Sequence, residues 1–215
     1  MAISITYLVL VHGEEQGLAL IDLLAKHKDA QDKIVVLNDP TTDEYTKKLK
    51  QKPVKVVNHK LEYSYSEHRN YALQYCHTDY IFALDADEVP SLKLLQNIKP
   101  IIANTNNPDV IWLPRLNLFN GVLPIHALIY NWTLQGNIVN WPDLQTRLFK
   151  NRKGIKWKGN LHERLDYDDK THKVVQLPPH PDFIIEHKKE ITKQLKDNEY
   201  YNLTYSESEN RGLII

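Results

Sequence analysis

The sequence predicts an α/β fold in which a mainly parallel sheet is flanked by helices. Short apolar runs rich in β-branched residues alternate four times with segments whose apolar residues recur at helical spacing. An acidic cluster follows the fourth run, at the edge of the sheet where open α/β folds place their ligands. With 215 residues, 42% of them hydrophobic, the chain can bury a core without disulfides or a structural metal.

The first half supplies four predicted strands with helices between and after them. The strands lie at residues 3–11, 33–38, 54–58 and 80–84, and helices are predicted at about 14–28 and 43–51. A third helix begins after Ser64, which forms a capping-box pattern with Glu67, and runs to about Cys76. A fourth begins after Ser91 and is expected to stop near Pro100, because proline lacks a backbone donor and clashes with the preceding turn.

The pattern changes at about Asp109. A fifth strand at 110–115 is followed by an Asn-, Trp- and Pro-rich region with strand-like pieces at 145–150, 155–158, 173–177 and 183–186. These pieces predict a smaller, irregular or antiparallel region at the carboxyl edge of the sheet. We therefore expect one domain at 1–187, with halves 1–108 and 109–187, and a helical tail at 188–215. Residues 206–211 are expected to fray.

Composition narrows the classes of function. Lys and Arg number 27, as do Asp and Glu, and no dense basic block occurs, so nucleic acid is not an expected partner. The single cysteine, Cys76, allows no disulfide within the chain, which is typical of the cytoplasm. The first residues lack a signal-peptide pattern, and no apolar run approaches the ~20 residues of a membrane span. We expect a cytoplasmic protein with no integral membrane segment.

The glycines argue against two common nucleotide-binding loops. The chain has 7 glycines, and none forms Gly-x-Gly-x-x-Gly or Gly-x-x-x-x-Gly-Lys. A dinucleotide-dependent dehydrogenase or a P-loop kinase is therefore not favoured.

The acidic cluster after the fourth strand is the strongest candidate site. Asp85 and Asp87 alternate in an extended segment, so both carboxylates face one side. Two adjacent like charges at the end of a buried strand are costly unless a cation or hydrogen-bond donors compensate them. Carboxylates suit a hard divalent cation such as Mg²⁺ or Mn²⁺. The pattern therefore favours a metal site over a chance Asp-x-Asp.

These residues lie within a larger pattern. Residues 68–88, HRNYALQYCHTDYIFALDADE, resemble the central block of family 2 glycosyltransferases with the Rossmann-like GT-A fold, including its DXD motif. Residues 37–39 with Thr42-Asp43 resemble the family's second-strand motif. Residues 141–149 and 157–163 resemble later segments of a subset that includes lipopolysaccharide-core sugar transferases. The loop after the first strand reads His12-Gly-Glu-Glu, where the family commonly has an Asn-Glu pair.

The resemblance, which covers about residues 3–187, implies a metal-dependent, inverting glycosyltransferase of the hexosyltransferase type. The donor would be a nucleotide diphosphate sugar, most commonly a UDP-sugar, bound by residues 1–108. The acceptor, bound by residues 109–187, would be a hydroxyl of a glycan, a lipid-linked molecule or another compound. The residues implied in donor binding are Val11, His12, Glu14, Asn38, Asp39, Arg69, Asp85, Ala86 and Asp87, with Asp39 contacting the base.

The resemblance also implies a metal site and a catalytic base. Mn²⁺ or Mg²⁺ would be held by Asp85, Asp87 and a histidine near the end of the domain, for which we prefer His187 over His180 and His162. Asp143 is preferred to Glu163 as the base because Pro142 restrains its loop, while the cationic neighbours of Glu163 would keep the pKa of that carboxyl low. The candidate acceptor-side residues are Trp141, Arg147 and His162.

Two other functions use the same residues. The stretch from Asp85 to Val89 also fits the opening motif of haloacid-dehalogenase-type phosphatases, with Asp85 as nucleophile and Asp87 as acid/base. That motif normally ends the first strand, whereas three predicted strands precede it here. A non-catalytic module that binds nucleotide sugars or glycans is the other alternative. A nucleotidyltransferase would be expected to open with a glycine-rich signature, which is absent.

Overall fold

The computed structural model describes residues 2–210. Its strands are β1 (Ile5–Val11), β2 (Lys33–Asn38), β3 (Lys55–Asn58), β4 (Tyr80–Asp85), β5 (Glu88–Pro90), β6 (Val110–Asn120), β7 (Leu134–Gln135), β8 (Ile138–Lys150), β9 (Lys156–Lys158), β10 (Arg164–Asp166), β11 (Val174–Gln176) and β12 (Ile185–Glu190). Its helices are α1 (Glu15–His27), α2 (Asp43–Lys50), α3 (Tyr65–Leu73), α4 (Leu92–Asn104), α5 (Pro124–Tyr130) and α6 (Ile191–Thr204). No helix within residues 2–210 combines the length and apolar character that crossing a bilayer requires.

The predicted α/β class is confirmed. The main sheet has the order β3-β2-β1-β4-β8-β6-β12-β5, with β7 paired to β8 and β11 paired to β6. Strands β3, β2, β1 and β4 are parallel. Their carboxyl ends therefore meet at one edge of the sheet, where the acidic cluster after β4 also lies.

Both faces of the sheet are covered. Alternate residues of β1 enter different cores: Ile5, Tyr7 and Val9 pack in a cluster with α1, while Leu8 packs with Ala72 of α3. A strand covered on both sides needs apolar residues at successive positions, which explains the continuous hydrophobic runs of the first half.

Helix starts follow the predicted capping pattern. Ser64 Oγ accepts a hydrogen bond from the backbone N–H of Glu67 at 3.3 Å, and Ser91 Oγ does the same for Leu94 at 3.1 Å. Helix α4, however, does not stop near Pro100 but continues to Asn104. Proline removes a single helical hydrogen bond, and buried Ile98 and Ile102, four residues apart on one face, hold both halves of the helix against the core.

The second half builds more of the main sheet than the sequence pattern indicates. Strands β6 and β8 form a long antiparallel pair, while β11 and β12 lie parallel to β6. The predicted smaller antiparallel element is the pair β9 and β10. Strand β12 runs through the expected junction between residues 187 and 188.

The segment after α6 is not frayed as far as residue 210. Asn210 is 1% exposed, and its Nδ2 donates to Asn202 Oδ1 at 2.6 Å. Glu209 accepts hydrogen bonds from the Tyr63 hydroxyl at 2.9 Å and from Asn160 Nδ2 at 2.7 Å. Hydrogen bonds to Tyr63, Asn160 and Asn202 therefore hold this segment, which the polar sequence alone did not indicate. Arg211 lies outside the described residues.

Candidate active site

The ends of β1, β2 and β4 form one side of the site. Val11 lies opposite Asn38 in the register of β1 and β2, and Leu10 lies opposite Asp85 in the register of β1 and β4. The loop after β1, the end of β2 and the acidic cluster are therefore neighbours.

The loop after β1 is tied to Asp39. His12 Nδ1 lies 2.8 Å from Asp39 Oδ2, and the backbone N–H of Asp39 donates to Val11 O at 2.9 Å. The backbone N–H of His12 donates to Glu14 Oε2 at 2.6 Å. Four of the predicted donor-binding residues therefore form one connected group, with Asp39 8% exposed.

Asn38 has a different environment. Its side chain is fully buried, and Nδ2 donates to Asn58 Oδ1 at 2.9 Å and to Thr46 Oγ1 at 3.2 Å. These bonds join β2 to β3 and α2. Asn38 therefore stabilises the end of β2 through contacts with its neighbours and does not point into the site.

Asp85 is held by two arginines. Oδ1 accepts from Arg69 Nη2 at 2.8 Å, and Oδ2 accepts from Arg147 Nη2 at 2.7 Å. Burial raises the pKa of Asp85, but the charges of Arg147 and Arg69 outweigh it and hold that pKa well below its usual value. Both arginines are buried. The side chains of Arg69 and Arg147 therefore pair with the acidic cluster and do not face solvent.

These pairs belong to a longer chain of alternating charges. Arg147 Nη2 also donates to Glu88 Oε1, which accepts from Arg115 Nη1 at 2.8 Å, and Arg69 Nε donates to Glu163. The order along the network is Glu163, Arg69, Asp85, Arg147, Glu88, Arg115 and Asp143. Both candidate bases therefore lie at its ends.

Glu88 and Arg115 were missed as site residues. Glu88 is fully buried, and Arg115 lies in the middle of β6, opposite Asp143 of β8. A charged side chain within an otherwise apolar strand was the available signal for Arg115, because such a charge needs a partner when it is buried.

Asp143 is the most heavily hydrogen-bonded carboxylate of the network. Oδ2 accepts from Arg115 Nε at 2.8 Å, Arg115 Nη2 at 2.6 Å and Asn117 Nδ2 at 2.9 Å, while Oδ1 accepts from Gln145 Nε2 at 2.6 Å. Burial raises the pKa of Asp143, but the charge of Arg115 and these hydrogen bonds outweigh it, and the net pKa is lowered. Asp143 therefore stays ionised at neutral pH. It lies within β8 rather than in a loop after Pro142, and an arginine pairs with it as one does with Glu163, so neither reason offered by the sequence distinguishes the two candidate bases.

His187 reaches the acidic cluster from β12. The strand lies between β5 and β6, with His187 opposite Glu88 on one side and Asn117 on the other. Its Nε2 lies 3.4 Å from Asp87 Oδ2. Burial raises the pKa of Asp87, but the hydrogen bond and charge of His187 outweigh it, and the net pKa is lowered.

The other two candidate histidines lie elsewhere. His180 is exposed and accepts from the backbone N–H of Asp182 at 3.3 Å at the start of a 3₁₀ turn. His162 is exposed, and its Nε2 lies 3.3 Å from Asn210 Oδ1. Of the three, His187 is the one whose ring meets Asp87.

The residues present fit a hard cation through Asp87 and His187. Ligands of Mg²⁺ lie at 2.0–2.1 Å in an octahedron, so neighbouring ligands are ~3 Å apart, close to the 3.4 Å between these two side chains. Within residues 2–210, no group of three or more Cys, His, Asp or Glu side chains is arranged to hold a metal. Magnesium is often bound by one or two carboxylates plus phosphate oxygens and waters, which matches this short set. The expectation that Asp85 and Asp87 alternate in an extended segment is wrong, because residues 86 and 87 form a turn after β4. Both oxygens of Asp85 are bound by arginines, so Asp85 is not placed as a ligand here.

A cavity of about 320 Å³ borders Asp87. Lys188, Lys189 and Lys193 contribute to its wall, together with Asn120. Trp141, the half-buried candidate for the acceptor side, precedes Asp143 on β8. Glu190 also lines the cavity, so three lysines stand against two carboxylates, and this positive excess suits an anionic group placed next to Asp87.

Comparisons with known proteins identify the domain. The model of the family described as "Glycosyl transferase family 2" matches residues 8–156, which include Asp85, Asp87 and Asp143. The structure of S. aureus TarS 1-349 in complex with UDP-GlcNAc is similar, with a TM-score of 0.54 and 15% identity over 83% of this chain and 60% of that chain. For the same protein in complex with UDP, the TM-score is 0.54 and the identity 14%, over 83% and 62%.

The chain spans less than two thirds of the length of these two structures. In a third structure, of S. aureus TarS, the match covers 83% of this chain and 38% of that chain, with a TM-score of 0.54 and 14% identity. At these identities the likeness shows a common fold. The family match decides against the phosphatase interpretation of Asp85, whose two oxygens are also occupied by arginines. The chain has the GT-A fold and belongs to glycosyl transferase family 2.

Proposed function

We propose that this protein transfers a sugar from a UDP-sugar to a hydroxyl acceptor, with inversion and with the help of a divalent cation. One observation carries the proposal: the sheet edge that presents Asp39 also presents Asp87, and His187 approaches Asp87 to 3.4 Å. A base-binding carboxylate and a cation site at one edge suit a nucleotide diphosphate. The complexes of TarS with UDP and UDP-GlcNAc support the choice of UDP.

Asp39 would read the nucleobase. Its Oδ2 is bound to His12 Nδ1, while Oδ1 has no hydrogen-bond partner within residues 2–210. A carboxylate oxygen can accept the imide N–H of uracil, a group that cytosine lacks. The site is therefore expected to bind UDP better than CDP.

Asp87 and His187 would hold the cation. A bound Mg²⁺ or Mn²⁺ supplies Lewis-acid stabilisation of the negative charge on the departing diphosphate. Lys188, Lys189 and Lys193 on the cavity wall would add positive charge beside the same group. Arg69 and Arg147 hold Asp85, which keeps the turn that carries Asp87 in place.

Asp143 would take the proton of the acceptor hydroxyl. The hydroxyl oxygen bonds to the anomeric carbon as the bond from that carbon to the diphosphate oxygen breaks, and the proton passes to the carboxylate. Oδ1 of Asp143 accepts one hydrogen bond whereas Oδ2 accepts three, so Oδ1 has the greater free capacity. Glu163, paired with Arg69, is the alternative base.

A thermal-shift panel tests the donor and cation site. UDP with Mn²⁺ should raise the melting temperature, since a ligand that binds only the native state stabilises it by mass action. CDP should give a smaller shift. Asp87→Ala should abolish the part of the UDP shift that depends on Mn²⁺. The control is Asp22→Ala, which removes an exposed carboxylate of α1 that pairs with Lys52. This variant should leave the Mn²⁺-dependent part of the UDP shift unchanged.

Two results would count against this function. Equal UDP affinity in chelator and in Mn²⁺ would remove the cation from the proposal. The absence of any shift with UDP, together with no release of UDP from UDP-sugars, would remove the donor.

A further inference from the structure

Asn117 lies between the candidate base and the candidate cation site. It is on β6 and 6% exposed. On one side its amide contacts Asp143, and on the other it contacts His187. No feature of the sequence pointed to this residue.

The contacts fix which way the amide faces. Nδ2 lies 2.9 Å from Asp143 Oδ2 and 3.3 Å from Val139 O. A carboxylate and a carbonyl oxygen can only accept hydrogen bonds, so the NH₂ group must face them. Oδ1 therefore faces His187.

The orientation of Asn117 in turn fixes the proton on His187. Asn117 Oδ1 lies 2.7 Å from His187 Nδ1. Because this oxygen has no hydrogen to give, Nδ1 must carry the hydrogen of that bond. Nε2 is then the nitrogen that faces Asp87, at 3.4 Å. The ring of Phe119 is nearly perpendicular to the imidazole of His187, with the ring centroids 6.4 Å apart.

We propose that Asn117 is a positioning residue that directs Nε2 of His187 towards the cation site, and that Asp143 holds Asn117 in this role. The inference rests on the proposed function, since it concerns the cation that Asp87 and His187 would bind. Histidine ligands generally donate their second ring N–H to a fixed acceptor, which sets the tautomer and the ring orientation. Asp143 would then serve the cation site as well as the acceptor.

The first test is the affinity for Mn²⁺, measured by titration with electron paramagnetic resonance, first without nucleotide and then with UDP, whose phosphate oxygens would complete the set of ligands. Asn117→Leu, which keeps the approximate size but removes the acceptor, should weaken Mn²⁺ binding by about 10- to 100-fold, the usual effect of losing such a partner. Asn117→Asp alone would set a carboxylate against Asp143, so it is combined with Asp143→Asn, which returns a donor to that contact. The double variant keeps an acceptor for Nδ1–H and should restore binding to within a few-fold of wild type. Asn198→Leu, a buried asparagine on α6, is the matched control and should bind as wild type does.

The second test needs no substitution, so it holds even if a variant fails to fold. Long-range ¹H–¹⁵N spectra of the metal-free wild-type protein should show a hydrogen on Nδ1 of His187. A His187 ring without that hydrogen would overturn the inference, as would Mn²⁺ binding in Asn117→Leu within about two-fold of wild type. In both cases a Mn²⁺-dependent UDP shift in the wild-type protein would leave the proposed function standing. Failure of the wild-type protein to bind Mn²⁺ both alone and with UDP would remove the cation from the proposed function, and the inference with it.

Discussion

The carboxylates of the site differ in the donors that hold them. Asp143 accepts four hydrogen bonds, whereas Glu163 is paired with Arg69 alone among the charged residues described. A charge taken out of water is costly unless a partner compensates it. Removing one member of such a network leaves another charge buried without its partner, so conservative substitutions are the informative ones here.

Asp143→Asn separates the two candidate bases. General-base catalysis typically contributes ~10²–10⁴ in rate, so this variant should lose turnover on that scale while UDP affinity changes little. Glu163→Gln should raise the KM for acceptor more than it lowers kcat. Donor affinity by titration and transfer rate by UDP release measure both effects. A wild-type rate in Asp143→Asn with an inactive Glu163→Gln would reverse the assignment.

His68 makes stability depend on pH. Burial, followed by the charges of His59 and Arg69, lowers the pKa of His68 from 6.5 to about 4, although Asp39 opposes the shift. The unfolded chain therefore binds more protons between these values, and folding stability falls as the pH falls from 6.5 to about 4. His68→Asn should lose less stability over this window in thermal unfolding. Exposed His77→Asn is the control, and parallel curves for wild type and His68→Asn would contradict the assignment.

At the scale of elements, the ends of β1, β2 and β4 were predictable and the ends of β6, β8 and β12 were not. The boundaries of β2 and the start of β4 follow from continuous apolar runs. Asp39 and Asp85 could then be placed because parallel strands end at one edge. The antiparallel register that sets Arg115 against Asp143, 28 residues apart, depends on pairing between distant segments. Local pattern carries little information about such pairing.

Helix α1 contacts the turn after β4 at Gly17. A Cβ atom there would lie 2.7 Å from Val11 Cγ1, 3.1 Å from the Tyr45 hydroxyl and 3.4 Å from Ala86 Cβ. Gly17→Ala gains up to ~1 kcal/mol of helix propensity, but overpacking typically costs ~1–3 kcal/mol. We expect a net loss in the free energy of unfolding and weaker UDP binding.

The matched variant for this test is Ala19→Gly, at an exposed position of the same helix. It measures the propensity difference without a packing change. Denaturant unfolding of both variants separates the two effects. A Gly17→Ala protein more stable than wild type would show that Val11 can move aside at no cost.

At the scale of the whole molecule, the segment after α6 braces the loop that carries Glu163. Asn210→Ala leaves Asn202 without its buried partner and releases His162. Asn202 and His162 are exposed, so water can replace the lost partner, and the loss of stability is that of an ordinary hydrogen bond, ~0.5–1.5 kcal/mol each. Amide hydrogen exchange at residues 160–163 should become faster, while exposed Ser208→Ala should change neither quantity. Unchanged exchange in Asn210→Ala would mean that other contacts hold the loop.

Strand β12 lies late in the chain, so it is synthesised after the other strands of the sheet. Strand β5, which follows Asp87 directly, has β12 as its partner in the sheet, and β12 also carries His187. When the nascent chain has emerged only as far as residue 184, the parallel strands β1 to β4 can form. At that stage β12 is missing, so β5 has no neighbouring strand and Asp87 has no contact with His187. The proposed cation site would therefore be completed after the edge that is proposed to bind uridine. Because the cation would bind only the finished arrangement, cellular Mg²⁺ or Mn²⁺ would favour the last step of folding by mass action.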